Sequence, residues 1–448
     1  MSRDQAANDY PLTDRAQLRA FFEQGSKGNA PRGVGTEHEK FGFDSKTLQS
    51  LAYEGPNGIG VLLKTMAERF GYTPAFDGPN ILALERNGAA VTLEPGGQLE
   101  LSGRITRNIF ETREELALHF DEVRAIGDEL GQTWSLMSLN PWDHLDAVPW
   151  MPKSRYQVMR AYMPTRGRLA HWMMKMTCTV QANFDYRDED DAMQMLALAS
   201  RVGPVITALF ANSPYRLSKR GWASERMRIW QETDPDRCGV PDFFVQEGAS
   251  FDDYVEWLLD VPMFFVVRDG KYVDMAGHSF RKFMAEGHNG LTATEGDWEL
   301  HISTVFPDVR MKRYIEVRTA DAGDLDHLLA LPAIWKGLFY DDDARQYATE
   351  LVEVHNAADA RAFSLEASER GLDGKWRGRA IGEIASDLID IASAGLDRQA
   401  VPGTLSERVF LDAIRAPNGR PLDPSNRMVR LWARHDGDRR AIIENNQI

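Results

Sequence analysis

Apolar and polar positions along this chain repeat with two different periods. A helical period runs through 13–24 (TDRAQLRAFFEQ), 58–70 (GIGVLLKTMAERF), 111–130 and 188–210. Thr13 is the expected N-cap of the first helix, and Gly71 and Gly131 end the second and third. The segment 188–210 opens with acids, which suit the positive end of a helix dipole. Strands are predicted at 34–43, 81–85, 89–94, 98–102, 134–139, 175–184, 263–267 and 311–318. Asn87-Gly88 is a hairpin signal, and Pro95-Gly96-Gly97 marks a second tight turn. Residues 81–102 therefore form an antiparallel meander rather than βαβ units. Helical patterns dominate beyond about residue 322, with no Pro/Gly/Ser-rich linker before them. The expectation is an α+β chain, 1–448 as one domain, with 322–448 as a mostly helical C-terminal part.

The strands share an anomaly. In VGTEHEKFGF (34–43), alternation puts Glu37, Glu39, Phe41 and Phe43 on one face and His38 and Lys40 on the other. On this stretch alone, an edge strand with solvated acids is the simpler explanation. The pattern then recurs. Gln98, Glu100 and Ser102 oppose Leu99 and Leu101; Thr177, Thr179, Gln181 and Asn183 oppose Cys178, Val180 and Ala182; Tyr314, Glu316 and Arg318 oppose Ile315 and Val317. A sheet packed on helices through its apolar faces would gather these acids, amides and Arg318 on one side. Converging carboxylates need counter-ions, and divalent cations supply them.

Composition narrows the function. Hydrophobic residues make up 43% and charged residues 27%, an ordinary globular balance. The net charge of −15 argues against nucleic acid as a partner. An anionic ligand would need local cations to reverse that field. Two cysteines, Cys178 and Cys238, exclude a disulfide framework; Cys178 falls on the apolar face of its strand and Cys238 reads as an exposed loop thiol. The N-terminus MSRDQAANDYPLTDR lacks the apolar core of a signal peptide, and apolar runs such as VGPVITALF are too short to span a bilayer. These features predict a cytoplasmic protein with no membrane partner. There is no Walker A sequence, no HExxH and no GxSxG.

Taken in order, VGTEHEKFGF, VTLEPGGQLELSG, MPKSRYQVMRAYMP, MTCTVQANFD, TALFANSPY, LDVPMFFV, DGKYVDM and FPDVRMKRYIEVRTAD resemble the plant-type glutamate–cysteine ligases, a group that includes proteobacterial members. The resemblance runs from about 30 to 345 and loosens in the helical C-terminal part. It implies a fold related to the glutamine synthetase catalytic domain, a curled, largely antiparallel sheet forming a funnel with helices outside. It also implies the reaction of ATP, L-glutamate and L-cysteine to γ-glutamylcysteine through a γ-glutamyl phosphate, the first step of glutathione synthesis. Two or three Mg²⁺ ions are expected, with no protein nucleophile. A γ-glutamyl ligase for another amine and a non-catalytic binding relative are the alternatives.

The resemblance assigns roles position by position. Glu37, Glu39, Glu100 and Glu316 are the expected metal-binding acids, with Glu94 a weaker candidate and Gln181 a neutral ligand or polar contact. Glu316 and Arg318 are expected in catalysis, Arg318 on the transferring phosphoryl group. Arg160 and Arg226 are candidates for the glutamate α-carboxylate, and Thr177, Thr179 and Asn183 for the amino-acid pocket. Trp298 and His301 match a family block without an assigned role. Plant members carry further cysteines linked to redox control. This chain lacks them, so no disulfide switch is expected, and a monomer or a homodimer is equally open.

Overall fold

The computed structural model describes residues 9–448, so most of the polar segment behind the predicted localisation lies outside the described residues. The centre is a nine-stranded sheet in which every pairing is antiparallel. Its strands are β1 (Val34–Asp44), β2 (Thr73–Asp77), β3 (Asn80–Arg86), β4 (Ala89–Leu93), β5 (Leu99–Ser102), β6 (Gln132–Ser135), β7 (Val180–Phe184), β8 (Val309–Met311) and β9 (Ile315–Val317). The order is β8-β9-β7-β1-β5-β4-β3-β2, with β6 also on β1. β1 is thus a central strand, not an edge. It pairs with β5 up to Lys40 and with β6 from Phe41. The meander is present, with Asn87 at φ 51° and Gly88 at φ 84° in its first turn.

Several expected boundaries move, each for a local reason. α1 (Arg15–Glu23) is capped by Asp14, not Thr13, because Asp14 and Gln17 form a reciprocal capping box. The predicted strand 175–184 divides. Its start belongs to α5 (Ala170–Met176), a run without β-branched residues, and the strand ladder with β1 begins at Val180, with the Thr179 carbonyl accepting from the Glu39 N–H at 3.1 Å just before it. The predicted strand 311–318 is a hairpin, turning at 312–314 where the Lys312 N–H donates to the Tyr314 carbonyl at 2.8 Å. Lys-Arg-Tyr carries no turn signal, so alternation ran through it unbroken. Residues Phe265–Arg268 form a separate two-stranded ribbon with Lys271–Asp274.

Helices cover the apolar face of the sheet. α2 (Ile59–Phe70) and α3 (Ile109–Leu130) bury Leu63, Met66, Val123 and Ile126 in one cluster with Leu84, Val91, Leu99 and Leu101. α6 (Glu189–Phe210) and α9 (Leu325–Phe339) do the same for Ala182, Phe184, Ile315 and Val317. α6 is 22 residues long and apolar enough to cross a membrane, but 83% of its most apolar window is buried inside the protein. α9 packs closely on the helix Ile381–Gln399: a Cβ on Gly337 would come within 2.3 Å of the Ala392 carbonyl oxygen. The polar face is left for α4 (Arg155–Tyr162), α5, α7 (Glu225–Gln231) and α8 (Glu295–Ser303) to wall in.

Candidate active site

Residues directly opposed in an antiparallel pair point to the same face. The register sets Glu39 opposite Glu100 and Glu37 opposite Ser102. It then sets Glu37 opposite Gln181, Asn183 opposite Glu316, and Glu316 opposite Arg310. One polar face therefore runs unbroken from β5 to β8. His38 and Lys40 face the other way and are buried; the Lys40 Nζ donates to the Leu99 carbonyl at 3.1 Å and lies 2.9 Å from His119 Nε2.

Among the described residues, Glu39, Glu94 and Glu100 form a close group of acids, with ligand oxygens all within 4.8 Å of one another. Glu94 stands on the turn after β4, which closes through Glu94 N–H to Gln98 O (3.0 Å) and needs Gly97 at φ 85°. Glu39 Oε2 accepts from the Thr179 N–H at 3.1 Å. Glu100 Oε1 accepts from the Ser102 Oγ at 2.8 Å and the Thr92 Oγ1 at 3.2 Å. Glu94 Oε1 is buried with no hydrogen-bond partner among the described residues. Burial pushes the Glu39 carboxyl well above its usual range, with Glu94 and Glu100 adding to it. Burial and then Glu100 push Glu94 up to about 7. A buried all-oxygen set crowded with negative charge fits a hard divalent cation.

The expected acids do not all join this group. Glu37 lies one register pair along β1 and accepts from Asn183 Nδ2 at 3.0 Å. Glu316 is enclosed by cations: Arg310 grips both carboxylate oxygens (2.7 and 2.9 Å), Lys312 Nζ is 3.2 Å away, and Arg318 contacts it directly. Burial alone would raise the Glu316 carboxyl, yet these three hold it well below its usual range. Arg318 also donates to Gln181 Oε1 at 2.6 Å.

Two cavities adjoin on this face. The smaller, about 80 Å³, is lined by the three acids, Thr177, Thr179, Gln181, Arg226 and Arg318. The larger, about 1110 Å³, is lined by Glu37, Ser102, Arg104, Asn183, Lys312 and Arg313 among others. Leu300 and Ser303 of α8 line both. The Thr177 and Thr179 hydroxyls donate to the backbone carbonyls of Met173 and Ala320, each at 2.7 Å. Arg226 is 1% exposed; its Nη2 donates to the Arg318 carbonyl at 3.0 Å, and its Nε has no partner among the described residues. Burial pulls its guanidinium below the ordinary value, while Asp321 and Glu39 hold it up.

Other candidates fall elsewhere. Arg160 is exposed, over the Trp150 ring at 4.8 Å, and lines neither cavity. Arg155, five residues earlier on α4, lines the smaller cavity together with Met159. Positions 155 and 159 share a helical face and 160 does not, a signal available in the sequence. Trp298 and His301 are buried packing residues, bonded to the carbonyls of Leu18 (3.1 Å) and Leu258 (2.8 Å). Cys238 is not an exposed loop thiol: it is partly buried beside Phe306, and burial pushes it up to about 12. Arg310 was missed because its pairing with Glu316 depends on the unsignalled hairpin.

The fold is that of a glutamate–cysteine ligase. The crystal structure of the Francisella tularensis glutamate–cysteine ligase in complex with AMP matches with a TM-score of 0.57 at 15% identity, over 94% of this chain and 88% of that one. A bifunctional glutathione synthetase from Pasteurella multocida matches with a TM-score of 0.50 at 15% identity, over 96% of this chain and 52% of its own. The chain belongs to glutamate-cysteine ligase family 2 (GCS2), whose family model matches residues 33–413. The chloroplastic glutamate–cysteine ligase of Brassica juncea is 38% identical over 94% of this chain and 81% of its own length; that of Arabidopsis thaliana is 37% identical over 94% and 80%. These relatives are chloroplastic, which contradicts the cytoplasmic placement expected from the N-terminal sequence.

Proposed function

We propose that this chain couples ATP hydrolysis to joining the L-cysteine amine to the γ-carboxylate of L-glutamate. The observation that supports this most directly is the charge arrangement between the two cavities. Three gathered carboxylates stand beside a cluster of two arginines and a lysine that share one carboxylate, Glu316. A carboxylate is a poor acyl donor, so ATP first converts it to an acyl phosphate, and the amine then displaces phosphate. Both reactants are anions, and bringing them together requires cations between them.

The larger cavity has the size and the basic rim (Arg104, Lys312, Arg313) for the nucleotide, and the smaller one for glutamate. Glu39, Glu94 and Glu100 would hold Mg²⁺, which neutralises phosphate charge when bound. Glu37, Gln181 and Glu316 border this position; Glu316 could take part only by releasing one of its three basic partners. Arg318, between Glu316 and Gln181, would donate to the phosphoryl group in transfer. Arg226 offers the glutamate α-carboxylate an Nε that has no partner among the described residues, and Arg155 lies on the same cavity. No side chain acts as a nucleophile; the residues position and neutralise. The helical part after 322 belongs to the same unit, since Phe339 packs edge-on against Phe184 of β7 at 5.2 Å.

ADP release from purified protein with Mg²⁺, ATP and glutamate, with and without cysteine, tests this. Cysteine-dependent ADP is expected. No ADP in either case would defeat the ligase reading, and equal rates with 2-aminobutyrate or another amine would move the acceptor away from cysteine.

A further inference from the structure

We infer that Asp321 is a positioning residue of the amino-acid subsite, fixing Arg226 through Ser213 and Ser224. The inference rests on the reading of Arg226 as the carboxylate anchor. Asp321 is buried and does not line the cavity that Arg226 faces. Its Oδ2 accepts from the Asn212 N–H at 2.8 Å and from Ser213 Oγ at 2.6 Å. Its Oδ1 accepts from Ser224 Oγ at 2.8 Å and lies 3.8 Å from Arg226 Nη1.

The direction of these bonds decides the matter. An ionised carboxylate only accepts, so both serines must give their protons to Asp321. Their lone pairs are then free to accept, and both accept from the first turn of α7. Ser213 Oγ takes the Arg226 N–H at 3.0 Å, and Ser224 Oγ, the N-cap, takes the Met227 N–H at 3.1 Å. Asp321 thus orients two hydroxyls, they hold the start of α7, and Arg226 leaves that turn toward the cavity. The same carboxylate supplies countercharge to a guanidinium that is 1% exposed. Asparagine at 321 could not reproduce this, because its amide would present N–H groups to a serine or to Arg226.

Steady-state kinetics of Asp321→Asn, Arg226→Met and the double variant test the chain of contacts. Arg226→Met alone tests the underlying reading, and it should raise the glutamate KM about tenfold or more, as expected for loss of a charged hydrogen bond. Asp321→Asn should raise the glutamate KM by a similar factor, leave the ATP KM unchanged, and add nothing on the Arg226→Met background. If Arg226→Met raises the glutamate KM and Asp321→Asn does not, the inference is overturned and the reading of Arg226 stands. If Arg226→Met leaves that KM unchanged, both fail. Equal changes in both KM values, additive with Arg226→Met, would show a merely structural role and overturn it too. Should Asp321→Asn not fold, Ser213→Ala cuts one link alone; it must raise the glutamate KM selectively, and an unchanged value refutes the proposal.

Discussion

Replacing Glu94 by glutamine should stabilise the metal-free protein, and should do so only above about pH 5. Glu94 is pushed from the usual 4.5 to about 7, by burial and then by Glu100. A carboxyl raised in the folded state contributes stability that is complete below its unfolded pKa. That contribution disappears as pH climbs through the folded pKa. The gap of about 2.5 pKa units corresponds to about 3 kcal/mol. Coulomb's law gives the repulsion that adds to the cost of burial the same order: two unit charges at the 4.8 Å limit of the triad repel by about 3.5 kcal/mol at an effective dielectric of about 20. Glutamine keeps the shape and removes the charge. In urea unfolding with a chelator present, Glu94→Gln should exceed the parent by about 3 kcal/mol near pH 8 and match it near pH 4. Mg²⁺ should then narrow the gap. A ligand at about a hundredfold excess over Kd adds about 2.7 kcal/mol to the parent, and the variant, with one ligand fewer, gains less. A difference that does not vary with pH, or a variant weaker than the parent near pH 8 in chelator, would refute charge crowding in the triad.

Two further outcomes follow from the placement of arginines and thiols. Arg155→Ala should raise an amino-acid KM about tenfold while Arg160→Ala stays within about twofold; the opposite result would return Arg160 to the site. Cys178 is buried and its thiol is raised well above the usual range, and Cys238 is pushed up to about 12, so neither is a reactive thiolate. Dithiothreitol should therefore change activity by less than about twofold; a several-fold change would reveal a redox switch.

The sheet was legible wherever one face is apolar and the turns carry glycine or asparagine. The meander from β3 to β5 follows from alternation and two turn signals. What alternation cannot show is which strand lies beside which. That is why Glu37, Glu39, Glu100 and Glu316 looked like one group. They share a face, but β7 stands between β1 and β9, and Arg310 reaches Glu316 from a hairpin with no sequence signal. Glu94 was hard to weigh because it sits on a turn, where side-chain direction depends on Gly97 rather than on strand period. Arg155 was lost for a simpler reason. The helix over α4 was not recognised, so the choice between two arginines had no face to decide it.

The separation of the acids also resolves the difficulty posed by a net charge of −15. Long-range attraction cannot bring ATP and glutamate to such a protein, so the site must be favourable at short range. Arg310, Lys312 and Arg318 outnumber Glu316 by two positive charges, all within direct contact of it. On the other side of Gln181 three carboxylates gather, and among the described residues Glu94 Oε1 has no hydrogen-bond partner. Had all four acids converged on one point, the basic residues would have been neutralised and nothing would remain to receive a phosphate. Had Glu316 been absent, Arg310, Lys312 and Arg318 would stand together without the one carboxylate that contacts all three, at a cost in mutual repulsion. Glu316 therefore keeps the basic cluster assembled, and on the proposed function the triad would be the place where a cation, not an arginine, meets the phosphate. On the proposed function the polar face would divide into an anion-receiving half and a cation-receiving half, with Gln181 of β7 between them.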